Sequence, residues 1–361
     1  KGGRNIIATA STKHGGTVST ITAQLEPGSI VTLSRNELDY VVTEYGIAPL
    51  RGRSVRQKVR NLIAVAHPDF RAELQAQAEK LMLWCPIPPK LIALDLDETT
   101  LNRQSLLSPG NRAALEAAIS MGIQIVIASG RSLDTLPREM THFPGIRYAI
   151  CGNGAMVYDL AAQRILVQHF LPAETAREVL WLGQGEFLTY EGFVDGCAYA
   201  QADYVNHPAV YLCGENSVAY VQSTRHPVPD IAAFLLEHET RLDSLDIVVG
   251  NLQVKETMMQ RLTSLSGVYV TSSVPHLIEI SNEACGKHRG LAFLTAHLGI
   301  PREAVCAFGN ADNDADMLEW AGMGIAVANG SPACLAAADA VTGHYLEDGV
   351  AQAFDGLLGI H

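Results

Sequence analysis

A chain of 361 residues, 48% of them hydrophobic, holds enough apolar material for more than one core, and at about 100–200 residues per domain it should divide into two or three units. Its formal net charge of −12 repels polyanions, which argues against nucleic acid and anionic membrane surfaces as partners and leaves small metabolites and metal ions. The seven cysteines are odd in number and form no C-x-x-C pair, which argues against a disulfide framework and a zinc site and fits a reducing cytosol.

The chain starts at Lys1 rather than Met, so the start of the gene product is expected upstream. No apolar run is long enough to span a bilayer and no charged, then apolar, then small-residue leader opens the sequence; a cytoplasmic location is expected. The first stretch alternates β-branched runs, Ile30-Val31-Thr32-Leu33 and Tyr40-Val41-Val42-Thr43, with turn residues. A helix is predicted from near Ser54, with Val55, Val59, Leu62 and Ile63 at helical spacing, and a second over residues 70–83 after His67-Pro68-Asp69. Trp84-Cys85-Pro86-Ile87-Pro88-Pro89 follows, and its prolines remove backbone donors and disfavour helix, so residues 84–89 read as a linker.

Beyond the linker, apolar runs end in polar residues and feed helices, the pattern of a parallel sheet buried on both faces. Leu91-Ile92-Ala93-Leu94 is the first such strand. Ser108-Pro109 starts a helix that carries Leu115, Ala118 and Ile119 on one face and stops at Gly122. Residues 123–128 and 305–308 are strands, residues 314–321 a helix, and Ile325-Ala326-Val327 a further strand. This rhythm predicts a doubly wound α/β fold with its site at the carboxyl ends of the strands. Between Ser129 and Lys287 the rhythm weakens and a Tyr-rich polar segment, residues 199–220, appears, so most of this stretch reads as an inserted domain.

Four positions carry candidate chemistry. Asp95-Leu96-Asp97-Glu98-Thr99 sets two carboxylates where the chain leaves the first strand; one can attack a phosphoryl group while the other moves protons. Taken alone, the pair reads more readily as a solvated Asp-rich turn. Ser129-Gly130-Arg131 offers a hydroxyl and free amides to a phosphate oxygen, or is an ordinary helix cap. Lys287 offers a fixed positive charge, or is solvated. Gly309-Asn310-Ala311-Asp312-Asn313-Asp314 gathers hard oxygen ligands of the kind magnesium prefers, or is an acidic loop without function.

In this order the motifs, together with Cys151-Gly152-Asn153-Gly154-Ala155, Glu279-Ile280, Met317-Leu318 and Glu347-Asp348-Gly349-Val350, resemble the haloacid dehalogenase superfamily, in its Cof-like phosphatase branch. The resemblance implies a doubly wound parallel-sheet core over residues 90–167 and 277–361, with an inserted α/β cap over residues 168–276. It implies that Asp95 is the nucleophile and Asp97 the general acid and base, and that Thr99, Ser129, Gly130 and Lys287 hold the phosphoryl group. Arg131 and Asn153 would lie near the mouth as substrate contacts. Asp95, Asp97 through its backbone carbonyl, Asn310 and Asp314 would form the Mg2+ site, Asp314 directly or through water. A small phosphorylated metabolite is the implied substrate, a sugar phosphate, nucleotide or cofactor phosphate; oligomeric state stays open. The chain departs from the family's pattern at Glu98 and His288, where glycine is usual, and at Asn310, where a metal-binding Asp is usual and a negative charge is lost.

The opening stretch is similar to something else. Gly2-Gly3-Arg4-Asn5, Gly46-Ile47-Ala48, Leu50-Arg51-Gly52 and Ala66-His67-Pro68-Asp69-Phe70 resemble the end of the acetyl-CoA hydrolase and CoA-transferase family. Residues 1–83 are therefore expected to be a partial α/β domain without catalytic residues and with an unfinished core. Two further readings follow: a non-catalytic module that binds a phosphometabolite, motivated by Asn310, and an appendage of a fused CoA-transferase.

Overall fold

The computed structural model describes residues 3–25, 29, 38–51, 55–80 and 88–360; the strand expected at residues 30–33 and most of the proline-rich segment 84–89 lie outside the described residues. The chain forms two compact units, residues 1–87 and 88–361. In the first, the strand Tyr40–Thr43 pairs in parallel with Ile6–Ala8 and antiparallel with Gly46–Pro49. The helices Val55–Ala64 and Pro68–Lys80 follow, the second beginning at the proline that its fixed φ suits to a first turn. Val41, Ala48, Leu50 and Val65 make a small core, while Ile6 and Ile47 stay 57% and 64% exposed.

The second unit is built on an eight-stranded sheet among the described residues. Its order is Arg164–Gln168, Met156–Asp159, Ile146–Cys151, Gln124–Ala128, Leu91–Leu94, Val305–Gly309, Met323–Val327, Ala340–Thr342. The last six of these pair in parallel and the first two are added antiparallel. Side chains of a strand alternate between faces. Ile92 and Leu94 accordingly join a core with Leu115, Ala118 and Phe354 on one face, and Leu91 and Ala93 join Leu291, Leu294 and Met317 on the other. The helix Pro109–Ser120, capped by the Ser108 hydroxyl accepting from the Asn111 amide, covers the first face; Lys287–Leu298 and Asp312–Trp320 cover the second.

From Leu91–Leu94 the chain winds outward through Gln124–Ala128 and Ile146–Cys151, and later returns to the other side through Val305–Gly309. The order reverses at Leu91–Leu94, so a crevice opens at the carboxyl end of that strand.

A second, six-stranded sheet of order His226–Val228, Cys197–Gln201, Leu188–Val194, Leu242–Val249, Leu277–Asn282, Val268–Thr271 forms the inserted cap. One face packs on the helices Ala173–Leu182, Ile231–Glu237 and Leu252–Leu262 through Val179, Leu235, Ile247, Met258 and Ile278. The boundary expected at residue 277 moves here, because Leu277–Asn282 pairs with Leu242–Val249 and Val268–Thr271 in the cap sheet. An alternating apolar strand satisfies either sheet equally well by its own pattern, and only its pairing assigns it.

Candidate active site

The first site loop takes its shape from a backbone reversal. The Asp95 amide donates to the Phe308 carbonyl at 3.1 Å, which carries the strand pairing one residue past Leu94. The Leu96 carbonyl then accepts from the amides of Thr99, Thr100 and Leu101, at 3.3, 3.1 and 2.8 Å. Glu98 turns the chain at φ 55, the left-handed conformation that suits glycine best, which is the physical reason a glycine would serve at this position. Asp95 and Asp97 both line the cavity above. Thr99, expected among the phosphate contacts, differs: the reversal turns it inward, it is fully buried, and it does not line the cavity. Its neighbour Thr100 donates its hydroxyl to the Asp95 carbonyl at 2.6 Å.

Lys287, at the start of its helix and 1% exposed, donates to Asp95 Oδ1 at 2.7 Å and to Asp314 Oδ1 at 2.6 Å. Asp314 Oδ2 accepts from the Asn310 and Ala311 amides, each at 3.0 Å. Burial, with Asp314 beside it, pushes the Asp95 carboxyl up to about 7 against the pull of Lys287. Burial also works against the Lys287 charge, but Asp314 and Asp95 outweigh it and hold the ammonium above its usual range. The result is a charged lysine clamped between two carboxylates at the carboxyl end of the central strand.

Ser129 is 1% exposed and its hydroxyl oxygen accepts from the Arg131 amide at 3.1 Å. A Cβ at Gly130 would stand 3.2 Å from Asn153 Oδ1 and from Glu279 Oε1, so only a very small residue leaves this cavity wall open. Arg131 reaches back to Asp97, Nε to Oδ2 at 2.9 Å and Nη2 to Oδ1 at 2.5 Å, and lies 4.6 Å above the Tyr220 ring of the cap.

Asn153, expected at the mouth, is instead a buried bracket. Its side chain donates to Glu279 Oε1 at 3.2 Å and accepts from Asn313 at 3.0 Å, and its carbonyl accepts from the Gly286 amide at 2.7 Å. Glu279 and Asn313 join the site by this route. The sequence motifs contain both, but nothing local singles out a role for either.

Asn310 lines the cavity. Asp312 does not: it is exposed at the first turn of its helix and accepts from the Ser331 hydroxyl at 2.6 Å. Asp95, Asp97 and Asn310 all line the cavity, and their oxygens, the backbone carbonyl of Asp97 included, are hard donors of the kind a magnesium ion takes. Asp314, with both oxygens engaged, fits a place behind them.

The cavity has a volume of about 420 Å³ and runs from these core residues to a cap wall of Glu191, Arg225, Asp246, His276 and Glu279. The wall residues Glu191 and Asp246 are acids inside fully or nearly fully buried strands, and the run Ile247-Val248-Val249 directly after Asp246 is the signal by which sequence reasoning could have found it. Among the described residues no helix is long and apolar enough to cross a membrane.

Residues 92–354 match the family model of the haloacid dehalogenase-like hydrolases, and residues 1–78 match that of the acetyl-CoA hydrolase/transferase C-terminal domain. The chain is 31% identical over 289 residues to phosphatase YwpJ of Bacillus subtilis (strain 168), which covers 74% of this chain and 100% of that protein. The solved structure of a haloacid dehalogenase-like hydrolase from B. subtilis superposes with a TM-score of 0.65 at 28% identity, over 74% of this chain and 100% of that one. Over 80 residues the chain is 52% identical to succinyl-CoA:cyclohexane-1-carboxylate CoA transferase of Geobacter metallireducens, 22% of this chain and 18% of that protein, so it spans under a fifth of that transferase's length.

Proposed function

Because the chain belongs to the haloacid dehalogenase-like hydrolase family, we propose that it hydrolyses the phosphate monoester of a small metabolite, a sugar phosphate, nucleotide or cofactor phosphate, through an aspartyl-phosphate on Asp95. The observation that carries this reading is the Lys287 ammonium held between Asp95 and Asp314, with Asp95 lining the cavity. Asp95 attacks phosphorus and the ester oxygen leaves, taking a proton from Asp97. Asp97, now ionised, draws a proton from the water that attacks the aspartyl-phosphate, and inorganic phosphate departs.

Lys287 holds Asp95 in its attacking position and lends positive charge to the phosphoryl oxygens, and Ser129 and the amide of Gly130 supply donors beside them. Arg131, paired with Asp97, keeps that carboxylate oriented and brings a second cation to the cavity. A magnesium ion held by Asp95, Asp97 and Asn310, with Asp314 behind them, would supply further positive charge to the transferring group. The cap excludes water and selects the organic portion of the substrate. We assign no catalytic role to residues 1–83.

Asn310 favours a second reading, a module that retains a phosphorylated ligand without turning it over. Hydrolysis of p-nitrophenyl phosphate with and without magnesium separates the two. Asp95→Asn should abolish turnover and leave the fold intact; activity above about one part in a thousand would overturn the mechanism, since positioning alone rarely replaces a lost nucleophile. Asp97→Asn should slow turnover by about 10²–10⁴-fold, the usual worth of acid–base catalysis.

A further inference from the structure

The face of the cap sheet opposite its helices carries a row of acids. Glu191 lies directly across from Asp246, and Asp246 directly across from Glu279, on three neighbouring strands. Residues opposite one another in a sheet share a face, and the next row along, Tyr190, Ile247 and Ile278, packs on the helices behind. All three acids line the cavity, at 0%, 5% and 7% exposure.

Among the described residues Arg225 is the one cation hydrogen-bonded to the row, and it is already committed; Lys287 and Lys255 act on Glu279 only through space. Arg225 donates from Nε to Glu191 Oε2 at 2.8 Å, its Nη2 lies 2.7 Å from the same oxygen, and its Nη1 donates to Thr224 at 3.0 Å. Glu191 Oε1 is buried without a hydrogen-bond partner. Glu279 has neutral partners, the Asn153 amide and Ser273. Asp246, in the middle, meets no hydrogen-bond donor among the described residues. His276, also on this wall, is held neutral because burial pushes its pKa down to about 4.

Burial, with Glu279 and Glu191 beside it, pushes the Asp246 carboxyl well up, and burial raises that of Glu279, because carboxylates crowded here without a partner are costly; a cation among them favours their charged forms. A neutral polyol could accept and donate hydrogen bonds here, but it would leave the mutual repulsion of the acids in place. A cation removes it. We infer that the cap receives a phosphate monoester whose organic portion carries a protonated amine, held by Asp246 at the centre of the acid row with Glu191 and Glu279 on either side. The phosphate end sits at Asp95 and the amine end at the cap, so the inference rests on the phosphatase reading for its orientation.

The test is a ladder of matched compounds: ω-aminoalkyl phosphonates from aminoethyl to aminohexyl, each against the n-alkyl phosphonate of equal length. These are not hydrolysed, so calorimetric binding to the full chain reads the cap independently of turnover. The amine should bind at least about tenfold tighter at one or more lengths, since a buried charged partner discriminates strongly against an analogue that lacks its counterpart. That preference should vanish in Asp246→Asn and weaken in Glu191→Gln. Equal affinities at every length in the unaltered protein would overturn the inference, as would a preference that survives Asp246→Asn. Turnover of p-nitrophenyl phosphate by the unaltered protein judges the phosphatase reading separately, so either idea can fail without the other.

Discussion

The Lys287 ammonium lies 2.7 Å from the Asp95 carboxylate, although the two residues stand 192 positions apart in the chain, and its second bond, to Asp314, is 2.6 Å long. All three side chains are nearly or fully buried. Removing the lysine leaves two carboxylates facing each other without compensation. Lys287→Met should therefore cost about 3–5 kcal/mol of stability, measured by denaturant unfolding, the range for one partner lost from a buried pair. Because Lys287 lowers the Asp95 pKa, its loss should raise that pKa beyond about 7, and any residual turnover should move to higher pH. Adding Asp314→Asn should restore part of the stability but not the activity. An unchanged unfolding midpoint in Lys287→Met would show that the clamp contributes nothing.

Asn310 lines the cavity at the place expected for a carboxylate, while Asp312 is exposed and bonded to Ser331. Asn310→Asp should therefore lower the magnesium concentration needed for half-maximal activity by about tenfold or more, since even partners behind the ligands are typically worth about 10–100-fold. Asp312→Asn should change it little. Magnesium titrations of both variants check this, and a large effect of Asp312→Asn would place the metal nearer the helix start.

Gly154 stands at φ +93, and a Cβ there would come 2.4 Å from the Gly286 carbonyl, immediately before Lys287. Gly154→Ala must either strain the loop, at about 1–3 kcal/mol, or push the start of the lysine helix away from Asp95. Both stability and kcat should fall. Gly185→Ala, at φ +80 with nothing within 4 Å, is the comparison: it should cost stability by strain alone and leave kcat unchanged. Equal kcat values for the two variants would show that this close approach does not position Lys287.

The two units divide at residues 87 and 88, and every residue placed in the site belongs to the second. A chain beginning at Pro86 should fold and retain the phosphatase rate of the full chain, because independent cores separate at such boundaries. An insoluble or inactive product, read by size-exclusion chromatography and p-nitrophenyl phosphate hydrolysis, would show that the units share a core.

The doubly wound core was legible because its signals are local. Leu91–Leu94, the Ser108-Pro109 cap and Val305–Gly309 each announce themselves within a few residues, by an apolar run that ends in polar groups or by a hydroxyl before a proline. The same locality places Asp95, Ser129 and Asn310 at strand ends.

The rest depends on residues far apart in the chain. Lys287 ends no strand, and its meaning comes from two carboxylates brought to it by packing. Thr99 is buried and does not line the cavity, where the loop that reverses at Leu96 and Glu98 leaves it. Leu277–Asn282 belongs to the cap because it pairs there, and the Glu191, Asp246 and Glu279 row exists because three separate strands align in one register. A strand's own periodicity says which side chains share a face but not which partner lies opposite, and the chemistry of the cap depends on the partner.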